Sequence, residues 1–193
     1  MATEFSAIYN RFLSKITDDM YIELTLADTN KDLQNLLVNS LAGFEFPRFD
    51  SYDYTIKIEQ VPETSVQPSD FILGVAWEDI PEESGDVPHV IVEKSYFGAD
   101  LTPEEINIFA ILMMISWVQR QVTSIENTRM KYSGPDFKMT SQANHLGKLL
   151  SLLAETQRQS LHMQRLYKRR KLSSNGRYES NWSVLGENSA LDE

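Results

Sequence analysis

Three histidines, His89, His145 and His162, and no cysteine are the whole supply of nitrogen and sulfur ligands for a transition metal. A zinc site would need all three plus a carboxylate. His145 and His162 are 17 residues apart on one predicted helix, about 25 Å at a rise of ~1.5 Å per residue, too far to share an ion. All three read as surface or hydrogen-bonded histidines. In "DTNKD", Asp28, Asn30 and Asp32 take positions 1, 3 and 5 of a calcium loop. Leu33 then stands where the loop needs glycine, and Asn39 where it needs glutamate. The stretch reads instead as a helix start, where acidic groups suit the dipole. The acidic pairs Asp18/Asp19, Asp50/Asp53, Glu82/Glu83 and Glu104/Glu105 are neighbours whose side chains do not converge on one substrate. No glycine-rich phosphate loop and no nucleophile elbow occurs. "NWS" at Asn181 fits the glycosylation pattern, but the N-terminus has no recognisable leader to take it to that machinery. These residues predict no enzyme, no cofactor and no metal. An unrecognised carboxylate site is the enzymatic alternative.

Charge is the stronger signal. The formal net charge is −10, yet residues 156–178 hold seven cations and no acid: Arg158, Arg165, Lys168, Arg169, Arg170, Lys171 and Arg177. Residues 1–155 hold 11 basic and 24 acidic side chains. Such a body repels DNA phosphates over a Debye length of ~8 Å. The basic segment fits three uses: gripping nucleic acid beside Tyr167, Tyr178 and Trp182, lying on a membrane, or docking into a protein. The last fits best, because arginine, tyrosine and tryptophan favour binding hot spots and the apolar face needed for lipid is thin.

The elements that must carry this segment follow from periodicity. Phe5, Ile8, Tyr9, Phe12, Leu13 and Ile16 predict an amphipathic helix capped by Thr3 or Ser6. Leu33, Leu36, Leu37, Leu41 and Phe44 predict a second one, ended by Gly43. "YDYTIKIEQ" alternates Tyr52, Tyr54, Ile56 and Ile58 against polar residues and predicts one half-buried strand. "FILGVAW", with Gly74 as a bulge or close contact, and "HVIVEKSYF" predict two more. Thr102, Pro103 and Glu105 form a capping box for the most buried helix, with Ile106, Phe109, Ala110, Met113, Met114 and Trp117 on its apolar face. Its longest apolar run, "IFAILMMISWV", is about half of the ~20 residues a bilayer crossing needs. The last helix is expected from Ser141 to about Lys171, supported by Leu146, Leu149, Leu150, Leu153, Leu161 and Leu166. Its second half looks too polar to pack on its own body and is expected to outrun it. An extended tail with a turn at Asn175–Gly176 follows. The fold class is therefore mainly α (α+β): a helical bundle of about four helices, an inserted small antiparallel β unit and an extended C-terminal tail. The body covers 1–171, including the insertion at 51–97, and the tail covers 172–193.

The stretches "FLSKITDDMYIELT", "LQNLLVNSLAGFEFPR", "DLTPEEINIFAILMMISWVQRQV" and "DFKMTSQANHLGKLLSLLAETQRQSLHMQRLY" together resemble the head–tail connector (adaptor, or neck) proteins of tailed bacteriophages. The resemblance spans roughly residues 5–167. It implies a structural virion protein in the neck, assembled in the host cytoplasm, whose partners are its own copies in a ring of twelve, the portal protein, and the tail or a second neck protein. Genomic DNA would pass through the ring without sequence-specific binding, and no membrane would be involved. The family's use of its C-terminal helix and tail would place Arg165, Lys168, Arg169, Arg170, Lys171, Arg177, Tyr178, Trp182, Val184 and Leu185 at the portal. The competing expectation is a DNA-binding or packaging accessory protein using the basic segment 158–178.

Overall fold

The computed structural model describes residues 2–16, 20–45, 52–68, 70–75, 88–131, 140–172 and 178–180. Its axis is α4 (Pro103–Lys131), in which six consecutive residues, Ile108 to Met113, are buried. One buried face needs only every third or fourth position to be apolar, so an unbroken run means that neighbours cover the helix on several sides. They are α1 (Phe5–Leu13), α3 (Leu26–Ser40) and α5 (Thr140–Lys168); a one-turn α2 (Met20–Glu23) precedes α3. By length and composition Pro103–Ile125 would suffice to cross a bilayer. Here that apolarity is used against the surrounding helices.

The stripes predicted for α1 and α3 are real. Phe5, Ile8, Tyr9 and Phe12 are buried, as are Leu33, Leu36, Leu37 and Phe44. The caps differ from expectation. Thr25 caps α3 by accepting from the Asp28 amide at 3.1 Å, so "DTNKD" begins in the first turn of the helix. Glu4 occupies the N-cap position of α1 without a side-chain bond. Thr3 instead accepts from the Leu101 amide at 2.7 Å and ties the start of the chain to the approach to α4.

The β region is more divided than predicted. One sheet has the order β1 (Thr3–Glu4), β6 (Tyr96–Phe97), β2 (Tyr54–Thr55), and so recruits the N-terminus. The other has the order β3 (Ile58–Pro62), β5 (His89–Glu93), β4 (Phe71–Val75), all antiparallel. "YDYTIKIEQ" and "HVIVEKSYF" are therefore each split between two sheets. The predicted inward face of the first also fails. Tyr52 packs on Phe44 and Phe109, whereas Ile56 and Ile58 are about half exposed, at 50% and 56%. The register shift between Ile72 and Gly74 is the expected bulge. A Cβ on Gly74 would meet nothing within 4 Å, so close contact is not its reason.

The core is aromatic. Phe97 stacks on Phe109 at 5.7 Å between centroids, and Phe44, Tyr52 and Phe5 crowd around this pair. The second helix of the α4/α5 hairpin departs from expectation. It ends at Lys168, and the half beyond Glu155 lies on the body rather than outrunning it. Thr156, Ser160 and Gln164, four residues apart, are its buried stripe. Gln164 donates to the Gly43 carbonyl at 3.2 Å and accepts from the Glu45 amide at 2.7 Å. Gly43 packs closely there: a Cβ would lie 3.0 Å from Leu112 Cδ2, so any larger residue requires the leucine side chain to shift. The leucines read as support for this helix are split. Leu146 is buried, while Leu150, Leu161 and Leu166 are 45%, 37% and 36% exposed.

Phe109→Ala is expected to lower unfolding free energy by ~3–5 kcal/mol, as large aromatic deletions in packed cores do. Ile58→Ala should cost less than about 0.5 kcal/mol. Urea unfolding of the two variants checks the contrast.

Candidate interaction surface

The site grows from the junction of α4 and α5. The predicted capping box is present: the Thr102 amide donates to Glu105 Oε2 at 2.7 Å, and the Glu105 amide donates to Thr102 Oγ1 at 3.3 Å. The sequence does not show the rest. Glu105 is fully buried, and its Oε1 accepts from Tyr167 at 2.7 Å and Tyr52 at 3.2 Å. A carboxylate out of water is tolerable only when its lone pairs are met. The same group therefore satisfies the start of α4, holds the end of α5 and anchors the segment leading into β2.

Tyr167 ties the last turn of α5, with the basic residues around it, to the start of α4. Arg165 and Lys168 lie in the last turn of α5 and are exposed, and Arg169 follows in a turn with its amide on the carbonyls of Arg165 and Leu166. Cations there suit the negative end of the helix dipole. Arg170 and Lys171 lie in β7 (Arg170–Leu172), and Tyr178 lies in β8 (Tyr178–Ser180). These strands pair antiparallel, with Arg170 opposite Ser180, Lys171 opposite Glu179 and Leu172 opposite Tyr178. The chain therefore doubles back across the boundary drawn at residue 172. Arg177, Trp182, Val184, Leu185 and the turn expected at Asn175–Gly176 lie outside the described residues.

Beside this end of α5 is a cleft of about 390 Å³, within the range of small-ligand sites, ~300–1,000 Å³. Pro103, Ile108, Met163, Leu166 and Tyr167 supply its apolar lining. Arg11 and Glu104 give it one charge of each sign. Asn107, also in the wall, accepts from Arg11 Nε at 3.3 Å and donates to Met163 Sδ at 3.7 Å, so α1, α4 and α5 all contribute.

Elsewhere polar groups do structural work. Asp32 receives both Arg120 terminal nitrogens, at 2.5 and 2.9 Å, and the Tyr21 hydroxyl at 2.8 Å. Burial alone would raise its pKa; the hydrogen bonds from Arg120 and Tyr21 outweigh this and hold the carboxyl below its ordinary 3.8. Burial, then the charge of Glu93, pushes the Tyr9 hydroxyl far above the ordinary tyrosine range. Glu93 itself is buried between Tyr9 and Gln34, with Gln34 Nε2 at 2.6 Å. Its position in a β-strand gave no sequence signal of burial. The three histidines are exposed.

No protein-family model, curated protein or solved structure matches this chain. The class defined by its geometry is a mainly helical α+β protein with small antiparallel sheets.

Two predictions follow from these networks. Tyr167→Phe should lower stability by about 1.5–3 kcal/mol, the range for hydrogen bonds to a charged group, measured by urea midpoint. The Asp32 site is partly exposed, so Asp32→Asn should cost only about 0.5–1 kcal/mol at pH 7. A depressed carboxylate pKa stabilises the fold above the unfolded value and stops doing so as pH falls through the folded one. The gap between wild type and Asp32→Asn should therefore close as pH drops below 3.8, read from paired denaturation curves across pH.

Proposed function

We propose that this chain is a structural head–tail connector of a tailed bacteriophage. In this reading copies form a ring below the portal, a helical bundle forms the body, and the basic end of α5 with the following tail faces the portal. The supporting observation is that the subunit carries two unlike surfaces. Ile56, Ile58, Ile72 and Val75 leave apolar area exposed around the second sheet. Arg165, Lys168 and Arg169 project at the end of α5 from an otherwise acidic chain. A closed ring is built from head-to-tail contacts between unlike patches, so such a subunit suits one. Net negative charge also suits a channel wall past which DNA must slide. The ring copy number, the neck location and the portal contact belong to this reading.

The exposed cations also favour a second reading, nucleic-acid binding. Native mass spectrometry and negative-stain microscopy of the full chain, alone and with a portal ring, test the first. A closed ring is expected, and Ile58→Lys with Ile72→Lys should dissolve it without lowering the unfolding midpoint by more than a few degrees. A chain that stays monomeric in both settings overturns the connector reading. Tight duplex binding at 150 mM salt, lost when Lys168, Arg169, Arg170 and Lys171 become alanine, would establish the second; its affinity should fall about one log unit per log unit of salt for each phosphate contact.

A further inference from the structure

Residues 53–63 and 88–98 form one two-stranded arm in a single register that crosses both sheets. Tyr54 and Thr55 pair with Phe97 and Tyr96, and Ile58 to Pro62 pair with Glu93 to His89. Between and beyond these pairs, the amides of Lys94, Gly98 and Glu63 donate to the carbonyls of Lys57, Asp53 and Pro88 at 2.8, 2.9 and 2.9 Å. Bonded residues alternate along an antiparallel strand. Asp53, Lys57 and Glu63 therefore turn their backbone groups inward, and Tyr54, Ile56, Ile58 and Gln60 turn theirs outward. Both β2 and β3 are at sheet edges, and among the described residues no strand pairs with that outer side. The same stretch leaves an apolar row in water, because Tyr54, Ile56 and Ile58 are all exposed.

An open edge of this kind is a template for another strand, and proteins blunt such edges with charge, proline or a bulge. Here the blunting is incomplete. Lys57 is ion-paired to Glu59 on its own strand, so the middle of the edge carries no net charge. At the opposite edge of the second sheet, β4 is interrupted by the shift between Ile72 and Gly74. The β3 side is the one with an unbroken ladder. The sequence "TIKIEQ" is also complementary to itself. Two copies run antiparallel about Ile58 set Lys57 opposite Glu59 of the second copy, twice, and Ile58 opposite Ile58. Centring the pair on Lys57 or on Glu59 would instead set like charges face to face, which destabilises. The Ile58 centre meets the backbone's requirement as well. It brings outward-facing groups together, Ile58 with Ile58 and Ile56 with Gln60. It makes Lys57 and Glu59 the closer, non-hydrogen-bonded pair, about 4.5 Å between Cα atoms.

We propose that the Tyr54–Pro62 edge is a two-fold docking surface for a second copy of this chain, joining β2 and β3 of the two copies antiparallel about Ile58. The exposed isoleucines of the copies then cover one another on one face, and four charges interlock on the other. Pro62 has no amide to donate, so bonding weakens there. The same edge is used up on both copies, and the contact closes at two rather than extending into a fibre. It does not rest on the connector reading. A head-to-tail ring sets Ile58 against a different patch, so in that reading the two-fold pair is the form of a copy outside the ring.

The chain has no cysteine, so one introduced thiol can bond only to its equivalent in another copy. A residue that cross-links to itself sits beside a two-fold axis, which head-to-tail contacts do not provide. The paired Ile58 Cα atoms would lie about 5.5 Å apart, within disulfide reach. Full-length Ile58→Cys, oxidised with diamide at micromolar concentration, is expected to become mostly a covalent dimer that dithiothreitol reverses. Ile72→Cys, on β4 and also exposed, should close at least tenfold less. Equal closure of the two variants overturns the proposal, as does an Ile58→Cys protein that stays reduced, whatever its assembly state. Sedimentation equilibrium gives a second readout without cysteine. Lys57→Glu and Glu59→Lys should each weaken dimerisation about tenfold, and an equimolar mixture of the two should restore it, because each then meets the opposite charge. Single variants that dimerise like the wild type, or a mixture no tighter than its parts, overturn the register and with it the two-fold edge.

Discussion

The carboxylate of Glu105 is the interaction on which the arrangement of this protein depends. It closes the first turn of α4, where amides would otherwise be unmet and the helix dipole favours negative charge. It also takes hydroxyls from Tyr52 and Tyr167, which come from distant parts of the chain. Phe44, Phe109 and these two tyrosines pack ring against ring around it, and this excludes water. An anion at the start of one helix thereby positions the end of another. The cationic end of α5 is held in place by its last aromatic side chain, which also lines the cleft beside it. Gln164 repeats the device one turn earlier, bonding α5 to the backbone that leaves α3.

Much of this was legible in the sequence where one residue type has one local use. The Thr102–Pro103–Glu105 cap, the apolar stripes of α1 and α3, and the bulge near Gly74 were readable because each depends on neighbours a few positions away. The strand at Tyr52–Glu59 was misread because alternation says which residues share a face, not which face is covered. Ile56 and Ile58 alternate correctly and still lie at the surface. The second half of α5 was misread because its buried stripe is polar. Thr156, Ser160 and Gln164 are short enough, or well enough hydrogen-bonded, to let the helix approach closely, and a count of leucines misses them. A spacing of four was the available signal. The two-residue strand Thr3–Glu4 and the burial of Glu93 are tertiary facts without a local pattern. For the candidate surface, the basic residues could be found by inspection, but the reversal of the chain at β7 and β8 and the cleft beside α5 could not.

The two long helices share a second, smaller core beyond the aromatic one, built on Val118, Val122 and Leu146 with Leu149 and Leu153 against them. Trp117 joins the two cores, and its indole N–H meets no acceptor among the described residues. One continuous helix thus runs from a region locked by rings and a buried carboxylate into one held by a few aliphatic contacts. Local opening follows the density of such contacts, so α4 is expected to open more readily around Val118 and Val122 than around Glu105 and Phe109, and exchange of its amides should be graded along one unbroken helix.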